Sequence, residues 1–265
     1  MKFRPCIDIH NGKVKQIVGE SLRDSGNSAV DNFVSEKGAE YYAEMYRRDR
    51  LAGGHIIILN PPASEYYEED CRQAAGALSA YPGGLQIGGG INDTNAARFI
   101  EAGASHVIVT SFVFRDGKID FENLEKLKRA VGKERIVLDL SCRRRDDNYY
   151  IVTDRWQKFT NVKVSHETLD LLAEHCDEFL IHAVDVEGKA GGIDEKLAEL
   201  IGSWNGIPVT YAGGVRNIED MEKLSKASDG SLDITIGSAL DLFGGPLRYE
   251  DVVAYCREDK ASSLL

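Results

Sequence analysis

Eight short apolar runs, each followed by a polar segment with helical spacing, dominate this chain of 265 residues. The runs are FRPCIDI, HIIILN, GLQIGGG, HVIVTS, RIVLDLS, FLIHAVD, IPVTYAGG and DITIGS. Intervening segments such as EKGAEYYAEMYRRDR and HETLDLLAEHC carry apolar residues three and four positions apart, which predicts amphipathic helices. Eight alternating strand and helix units in a chain of about 250 residues predict an α/β fold, the (β/α)8 TIM barrel.

A doubly wound, Rossmann-like domain with an extra lobe is the alternative architecture, although such sheets usually have fewer strands. No Pro-rich, Ser-rich or charge-block linker divides the sequence, so we predict one barrel domain over residues 1–265. Longer connections follow the first and fifth strands, at residues 10–34 and 141–165. Long connections in compact domains are often functional, and in a barrel these two would lie at the catalytic face.

Composition narrows the class of protein. A formal net charge of -11 opposes attraction to nucleic acid or to anionic lipid. The five cysteines are scattered without metal-ligand or framework spacing, so neither a zinc site nor disulfides are predicted. No apolar run has the length of a signal peptide or a membrane span. We therefore expect a cytoplasmic domain of enzyme size, and as a separate expectation we predict a monomer.

The two halves of the chain resemble each other. LQIGGGINDTNAARFIEAGASHVIVTSFVF parallels VTYAGGVRNIEDMEKLSKASDGSLDITIGSAL. The matched pairs are Gly89-Gly90 with Gly213-Gly214, Thr110-Ser111 with Gly237-Ser238, and Asp8 with Asp139. This indicates an internal duplication of a half-barrel. Because the first and fifth of eight strands face each other, the two aspartates would frame one substrate from opposite walls.

The paired glycine turns suit phosphate. Each follows a strand and precedes a helix, where glycine lets backbone N–H groups approach a ligand and the helix start adds partial positive charge. The Thr110-Ser111 and Gly237-Ser238 turns can add hydroxyl and amide donors to the same sites. Glycines that serve only tight turns are the alternative, but two copies favour two phosphate sites. The predicted ligand is an elongated small molecule with a phosphate at each end.

Asp8 lies in a buried run, where an ionised carboxylate is costly unless it is paired or used. It could simply accept hydrogen bonds or pair with a lysine such as Lys13, which is itself a candidate for binding substrate. Because Asp8 and Asp139 occupy equivalent places in the repeat, acid/base chemistry is the stronger hypothesis. Partial desolvation and bound phosphates could raise one of the two pKa values, so that one carboxyl group donates a proton and the other accepts one.

The sixth strand brings His182, Asp185 and Glu187 towards the same rim, although strand alternation allows only some of them to point inward. Each could instead support the site from behind. Trp156 lies in a polar connection, which predicts a lid that stacks on a flat ligand ring, or else a hydrophobic anchor. His55 is interpreted as a structural histidine at the start of a strand.

These residues resemble a known family. PCIDIHNGKVKQIVG, both Gly-Gly turns, DRWQ and TIGSAL are similar to the histidine-biosynthesis barrels, and most closely to the eukaryotic phosphoribosylformimino-5-aminoimidazole carboxamide ribotide (ProFAR) isomerases. The resemblance extends from Phe3 to about Ala254. It implies an Amadori rearrangement of an aminoaldose, ProFAR, to an aminoketose, PRFAR, without metal or cofactor.

Within that resemblance, Asp8 matches the base that takes a proton from C2 of the opened sugar, and Asp139 has the position of the acid that protonates the ring oxygen. The sequence departs from the bacterial pattern in having Glu187 and Lys189 where Asp and Thr are usual, and His182 where a threonine is common. These departures leave Asp139 and Glu187 as alternative acids.

Two other functions stay open. The cyclase subunit of imidazole glycerol phosphate synthase shares the aspartates and glycines, but carries a lysine where this chain has Gln16. A non-catalytic barrel that binds sugar phosphates is the third hypothesis, and intact Asp8 and Asp139 count against it.

Overall fold

The computed structural model describes residues 1–17, 31–187 and 191–262. Eight parallel strands follow one another in chain order around a barrel. They are β1 (Cys6–His10), β2 (Gly54–Ile58), β3 (Leu85–Gly88), β4 (Val107–Val109), β5 (Ile136–Asp139), β6 (Glu178–His182), β7 (Val209–Ala212) and β8 (Asp233–Thr235). A parallel bridge between Phe3 and Ile234 joins the first strand to the last and closes the barrel. The predicted fold is confirmed.

In the described residues, eight α-helices alternate with the strands. They are α1 (Ala39–Arg48), α2 (Tyr67–Ala80), α3 (Ala96–Glu101), α4 (Phe121–Val131), α5 (His166–Ala173), α6 (Glu195–Gly202), α7 (Ile218–Ala227) and α8 (Tyr249–Ser262). Asp120, Ser165, Asp194 and Asn217 cap α4, α5, α6 and α7, each accepting a hydrogen bond from a backbone N–H of the first turn. The apolar faces of the helices pack against the outside of the barrel in one continuous core.

The barrel interior has three layers. A middle layer is apolar and consists of Ile57, Ile108, Val137, Leu180 and Ala212. Beneath it, a buried polar layer joins Arg4 to Glu178 at 3.3 Å and to Asp233 at 2.8 Å, and Gln86 donates to Glu178 at 2.7 Å. The middle layer therefore separates this structural ion-pair network from the carboxylates at the other end of the strands.

The two long connections contain antiparallel strands, which the sequence analysis interpreted only as loops. After β1, Lys13–Ile17 turns back on β1 and pairs with Asp31–Val34. After β5, Cys142–Arg145, Asn148–Thr153 and Lys158–Lys163 form a three-stranded sheet, which we call the β5 sheet. Its first hairpin has a two-residue turn in which Asp146 and Asp147 have φ of 50° and 62°. Such primed turns match the twist of the flanking strands.

Candidate active site

A cavity of about 240 Å³ opens at the carboxyl end of the barrel strands. Its charged and aromatic lining consists of Asp8, His55, Asp139, Arg155, Trp156, His182 and Glu187. β1 and β5 lie four positions apart in the closed order of eight strands, so they carry Asp8 and Asp139 to opposite walls. The arrangement expected from the internal repeat is therefore present: two carboxylates face one space.

Asp8 is held by Gln16 from the neighbouring antiparallel strand, whose Nε2 donates to Asp8 Oδ2 at 3.1 Å. Burial raises the pKa of Asp8 from 3.8 to about 7; the charge of His182 and the Gln16 hydrogen bond act in the opposite direction without cancelling the effect. A carboxylate with a pKa near neutrality is suited to taking and returning a proton.

Asp139 is an acceptor of several hydrogen bonds. Its Oδ1 accepts from the backbone N–H of Ser141 at 2.7 Å and from the Ser141 hydroxyl at 2.6 Å, and its Oδ2 accepts from the Thr110 hydroxyl at 3.1 Å. The three donors fix the orientation of the carboxylate at the end of β5. Thr110, predicted as a phosphate ligand, thus also orients Asp139.

His182 and Glu187 form a pair across the short turn that follows β6. His182 Nε2 lies 3.0 Å from Glu187 Oε2, and about a quarter of each side chain is exposed. Burial alone would lower the pKa of His182, but Glu187, and then Asp139 and Asp8, raise it above the usual value. Burial alone would raise the pKa of Glu187, and His182 lowers it instead. Each member of the pair thus favours the charged form of the other.

Trp156 packs over His182 with ring centroids 4.6 Å apart. The tip of the β5 sheet presents it: Asp154, Arg155 and Trp156 all have left-handed φ, between 51° and 67°. Asp154 accepts a hydrogen bond from the N–H of Gln157 at 3.2 Å, which closes the turn. The aromatic ring thus lines the cavity from the side of the β5 sheet, and its role as a lid stays a prediction.

The first glycine turn borders a second cavity of about 480 Å³ that shares Asp139, Arg155 and Trp156 with the central one. Gly89, Gly90, Thr110 and Ser111 all line it. Gly89 and Gly90 have φ of 102° and 68°. A Cβ at Gly89 would lie 2.0 Å from the carbonyl oxygen of Ile58, so no other residue fits there.

The second glycine turn borders a cavity of about 540 Å³ on the other side, which shares Glu187, Gly213 and Gly237 with the central one. Gly213, Gly214, Gly237 and Ser238 all line it. Gly213 and Gly214 have φ of 109° and 77°, close to the values of their counterparts in the first half. The two turns are thus repeated in conformation as well as in sequence.

Two of the sequence candidates lie outside these cavities. Lys13 is exposed on its antiparallel strand and lines none of the three described cavities. Asp185 accepts hydrogen bonds from Arg143 Nε at 2.9 Å and from the N–H of Arg144 at 2.7 Å. Asp185 therefore ties the β5 sheet to the turn after β6. A direct contact of either residue with substrate stays a prediction.

The sequence analysis did not single out Arg155, Ser141 or Thr235, which line the central cavity. Arg155 is the only cationic residue among the described lining of the second cavity, which the first glycine turn borders, and its Nη2 donates to the carbonyl oxygen of Leu59 at 3.4 Å. Arg155 directly precedes Trp156 in the sequence, and this position could have identified it as a candidate site residue. His55, predicted to be structural, is buried in the cavity floor, and burial lowers its pKa to about 4.

Among the described residues, a metal-ligating type of cluster occurs at His106, Asp177 and Glu178, away from the cavities that hold the aspartates. Glu178 Oε2 already accepts a hydrogen bond from Gln86 and lies 3.3 Å from Arg4 Nη1. This carboxylate serves the polar layer at the base of the barrel.

Comparison with known proteins agrees with this geometry. The family model described as "Histidine biosynthesis protein" matches residues 2–245. The chain belongs to this family. Its match covers all eight strands, both aspartates and both glycine turns.

Curated relatives include a chloroplastic 1-(5-phosphoribosyl)-5-((5-phosphoribosylamino)methylideneamino)imidazole-4-carboxamide isomerase from Medicago truncatula, 54% identical over 99% of this chain and 84% of that protein. Isomerases of the same name from Yarrowia lipolytica and Saccharomyces cerevisiae are 49% and 42% identical. These matches cover 96% and 94% of this chain and 97% and 96% of the two relatives.

Within the described part of the chain, no helix combines the length and apolar content needed to cross a membrane. The Medicago relative is named as chloroplastic, so the cytoplasmic location of this chain stays a prediction.

Proposed function

We propose that this protein is the isomerase of histidine biosynthesis that converts the aminoaldose ProFAR to the aminoketose PRFAR. One observation carries the proposal. A cavity with facing carboxylates from β1 and β5 is flanked on both sides by the same left-handed glycine turn. The substrate carries a phosphate at each end, and curated relatives at 42–54% identity are named for this reaction.

The flanking cavities would bind the phosphates. At each end, glycines with positive φ turn backbone N–H groups outward, and the neighbouring strand end adds a hydroxyl from Ser111 or Ser238. Backbone amides carry no net charge, which explains how a chain of net charge -11 can hold a bisphosphate. Two anchored ends would suspend the reacting ribose between Asp8 and Asp139.

Asp8 supplies the base. An Amadori rearrangement opens the sugar ring and then moves a hydrogen from C2 to C1, which requires a group that removes the C2 proton. With a pKa raised to about 7 by burial, Asp8 is substantially ionised at neutral pH and more basic than an ordinary carboxylate. Trp156 would stack on the imidazole ring of the substrate and exclude water from the cavity.

The test uses the purified protein and the aminoaldose, with no metal and no ammonia added. The expected result is formation of the ketose, followed by absorbance. Chromatography should separate the product from the substrate, and mass spectrometry should show that the two have the same mass. An ammonia-dependent cyclisation would identify the cyclase instead, and binding without turnover would identify a sugar-phosphate-binding barrel. Light scattering on the same sample tests the proposed monomer.

Gln16 is evidence against the alternative cyclase function. Its amide donates to Asp8 and its Oε1 lies so close to Gly237 that a Cβ there would be 2.6 Å away. The position that carries a lysine in the cyclase subunit is thus occupied by a neutral group that holds the base.

A further inference from the structure

We propose that Gln16 is a positioning residue for the base: its side-chain amide holds Asp8 as the Thr110 hydroxyl holds Asp139 on the opposite wall. This role rests on the proposed function and deepens it, because it names the residue that orients Asp8 towards the substrate. The observation behind it is a place where the internal repeat breaks, at Thr110 and Gly237.

Thr110 and Gly237 occupy equivalent places in the two halves of the barrel but differ in what they can donate. Thr110 directly follows β4, and its hydroxyl donates to Asp139 Oδ2 on the neighbouring strand β5 at 3.1 Å. Because the barrel is closed, the corresponding neighbour of β8 is β1, which carries Asp8. Gly237 follows β8 and has no side chain, so it cannot give Asp8 the hydrogen bond that Thr110 gives Asp139.

The Gln16 amide fills the space that the missing side chain leaves. A Cβ at Gly237 would lie 2.6 Å from Gln16 Oε1, which is closer than non-bonded atoms approach. From this place the Gln16 Nε2 donates to Asp8 Oδ2 at 3.1 Å. The φ of Gly237 is not positive, so the close approach of this amide, and not its backbone conformation, disfavours a larger residue there.

The antiparallel strand Lys13–Ile17 presents the amide to the cavity. Side chains alternate along a strand, so Val14 and Gln16 share a face, and they are only 0% and 5% exposed. A buried amide needs hydrogen-bond partners, and a carboxylate accepts them. The reverse orientation would bring the amide oxygen of Gln16 against the carboxylate of Asp8, which pairs two acceptors. The amide is thus held with its N–H towards Asp8.

The same hydrogen bond affects the proton affinity of the base. Burial raises the pKa of Asp8 to about 7; the charge of His182 and the Gln16 hydrogen bond lower it, and the charge of Glu187 adds to the rise. Loss of the amide should therefore raise the pKa of Asp8 further. The other ionisable groups near Asp8 all remain when Gln16 is replaced: Cys6 on β1, Tyr46 on α1, His55 on β2, Asp139 on β5 and Arg155 on the β5 sheet.

The experiment removes the amide from Asp8 in two ways. Gln16→Ala deletes it, and Gly237→Ala keeps it in the chain but places a Cβ 2.6 Å from its oxygen, which displaces it. A hydrogen bond to a charged group corresponds to a factor of about 10 to 100, so we expect kcat to fall by this factor in both variants. The dissociation constant of Gln16→Ala for the ketose product should change less than about tenfold, because the phosphates provide most of the binding.

The pH profile separates positioning from a structural role. In Gln16→Ala and in Gly237→Ala, the acidic fall in kcat/KM should move to higher pH, because Asp8 must be ionised to take a proton. Gln86→Ala is the matched control, since Gln86 is another buried glutamine and donates to Glu178 at 2.7 Å, but in the polar layer beneath the apolar one. This control should lower the thermal midpoint and leave the acidic fall at the wild-type pH.

The internal repeat also supplies a rescue. In the Gln16→Ala background, Gly237→Ser returns a hydroxyl to the place equivalent to Thr110, and Gly237→Ala makes the same change without the hydroxyl. The serine double variant should exceed the alanine double variant in kcat by about fivefold or more. Its acidic fall should move back towards the wild-type pH.

Three results would each overturn this role of Gln16 while the proposed function stands. They are a near-normal kcat of Gln16→Ala with an unmoved acidic fall, equal activities of the two double variants, and the same pH shift in Gln86→Ala. If Gln16→Ala does not fold, the pH profile of Gly237→Ala decides in the same way, because that variant retains the glutamine. A wild-type protein that does not form the ketose would overturn the proposed function, and the role of Gln16 with it.

Discussion

Substituting Asp8 by asparagine should inactivate the enzyme and stabilise the fold. The pKa of Asp8 rises from its ordinary 3.8 to about 7 because the carboxylate is buried. With roughly 1.4 kcal/mol for each tenfold change in proton affinity, this difference corresponds to at most about 4 kcal/mol. Asparagine removes the charge and keeps an oxygen that can accept the Gln16 hydrogen bond of 3.1 Å.

The stabilisation should depend on pH. Because the folded protein binds the Asp8 proton more tightly than the unfolded chain, wild-type stability from this group is complete below about pH 4 and is lost as the pH rises towards 7. The Asp8→Asn variant does not lose this stability as the pH rises, because asparagine has no ionisable group. We therefore expect the free energy of unfolding of the variant to exceed that of wild type by roughly 2–4 kcal/mol at pH 8 and by much less at pH 4.

Guanidinium denaturation at both pH values measures this difference, and a companion assay should show no isomerisation by the variant. Affinity for the bisphosphate should stay within about tenfold, since the phosphate contacts provide most of the binding. Asp220→Asn is a control with the opposite sign, because Arg216 lowers the pKa of the buried Asp220. Its loss of stability should be largest at pH 8. An Asp8→Asn variant no more stable than wild type at pH 8 would refute the argument. So would a difference in the free energy of unfolding between variant and wild type that is as large at pH 4 as at pH 8.

Three further changes test other parts of the site. Trp156→Ala should raise KM about tenfold with a smaller change in kcat, because a stacked ring contributes about 1–3 kcal/mol; an unchanged KM in steady-state assays would make Trp156 a structural residue. Arg155 lines the cavity beside the first glycine turn, so Arg155→Ala should weaken binding of the bisphosphate by about 10- to 100-fold in calorimetry, whereas the exposed Arg145→Ala should not; equal affinities would show that Arg155 does not contact a phosphate. Gly89→Ala would place a Cβ 2.0 Å from the Ile58 carbonyl oxygen, so we expect a stability loss of about 1–3 kcal/mol and weaker phosphate binding, and a thermal midpoint equal to wild type would contradict this.

Local sequence signals located much of the site. A carboxylate in a buried strand, a Gly-Gly turn between a strand and a helix, and the repetition of both in the second half are visible without coordinates. These signals predicted that Asp8 and Asp139 lie on facing strands, because the eight strands of a closed barrel follow one another in chain order. The barrel in the structure has this order. The same periodicity predicted the eight strands and helices.

Other contacts depend on how the connections fold back over the barrel. Spacing alone gave no sign that residues 142–163 build an antiparallel sheet whose turn carries Arg155 and Trp156 into the cavity. Nor did it show that Asp185 pairs with Arg143 instead of facing the cavity. These are long-range contacts, set by packing between segments that are distant along the chain.

The sequence by itself determined the barrel and its duplicated phosphate and carboxylate positions, because strand and helix periodicity and glycine conformation are local properties. Only the tertiary structure decided the protonation chemistry. Burial raises the pKa of Asp8, three donors hold Asp139, and His182 meets Glu187 under Trp156. The physical reason is that desolvation and charge interaction depend on distances through space, which the order of residues along the chain does not contain.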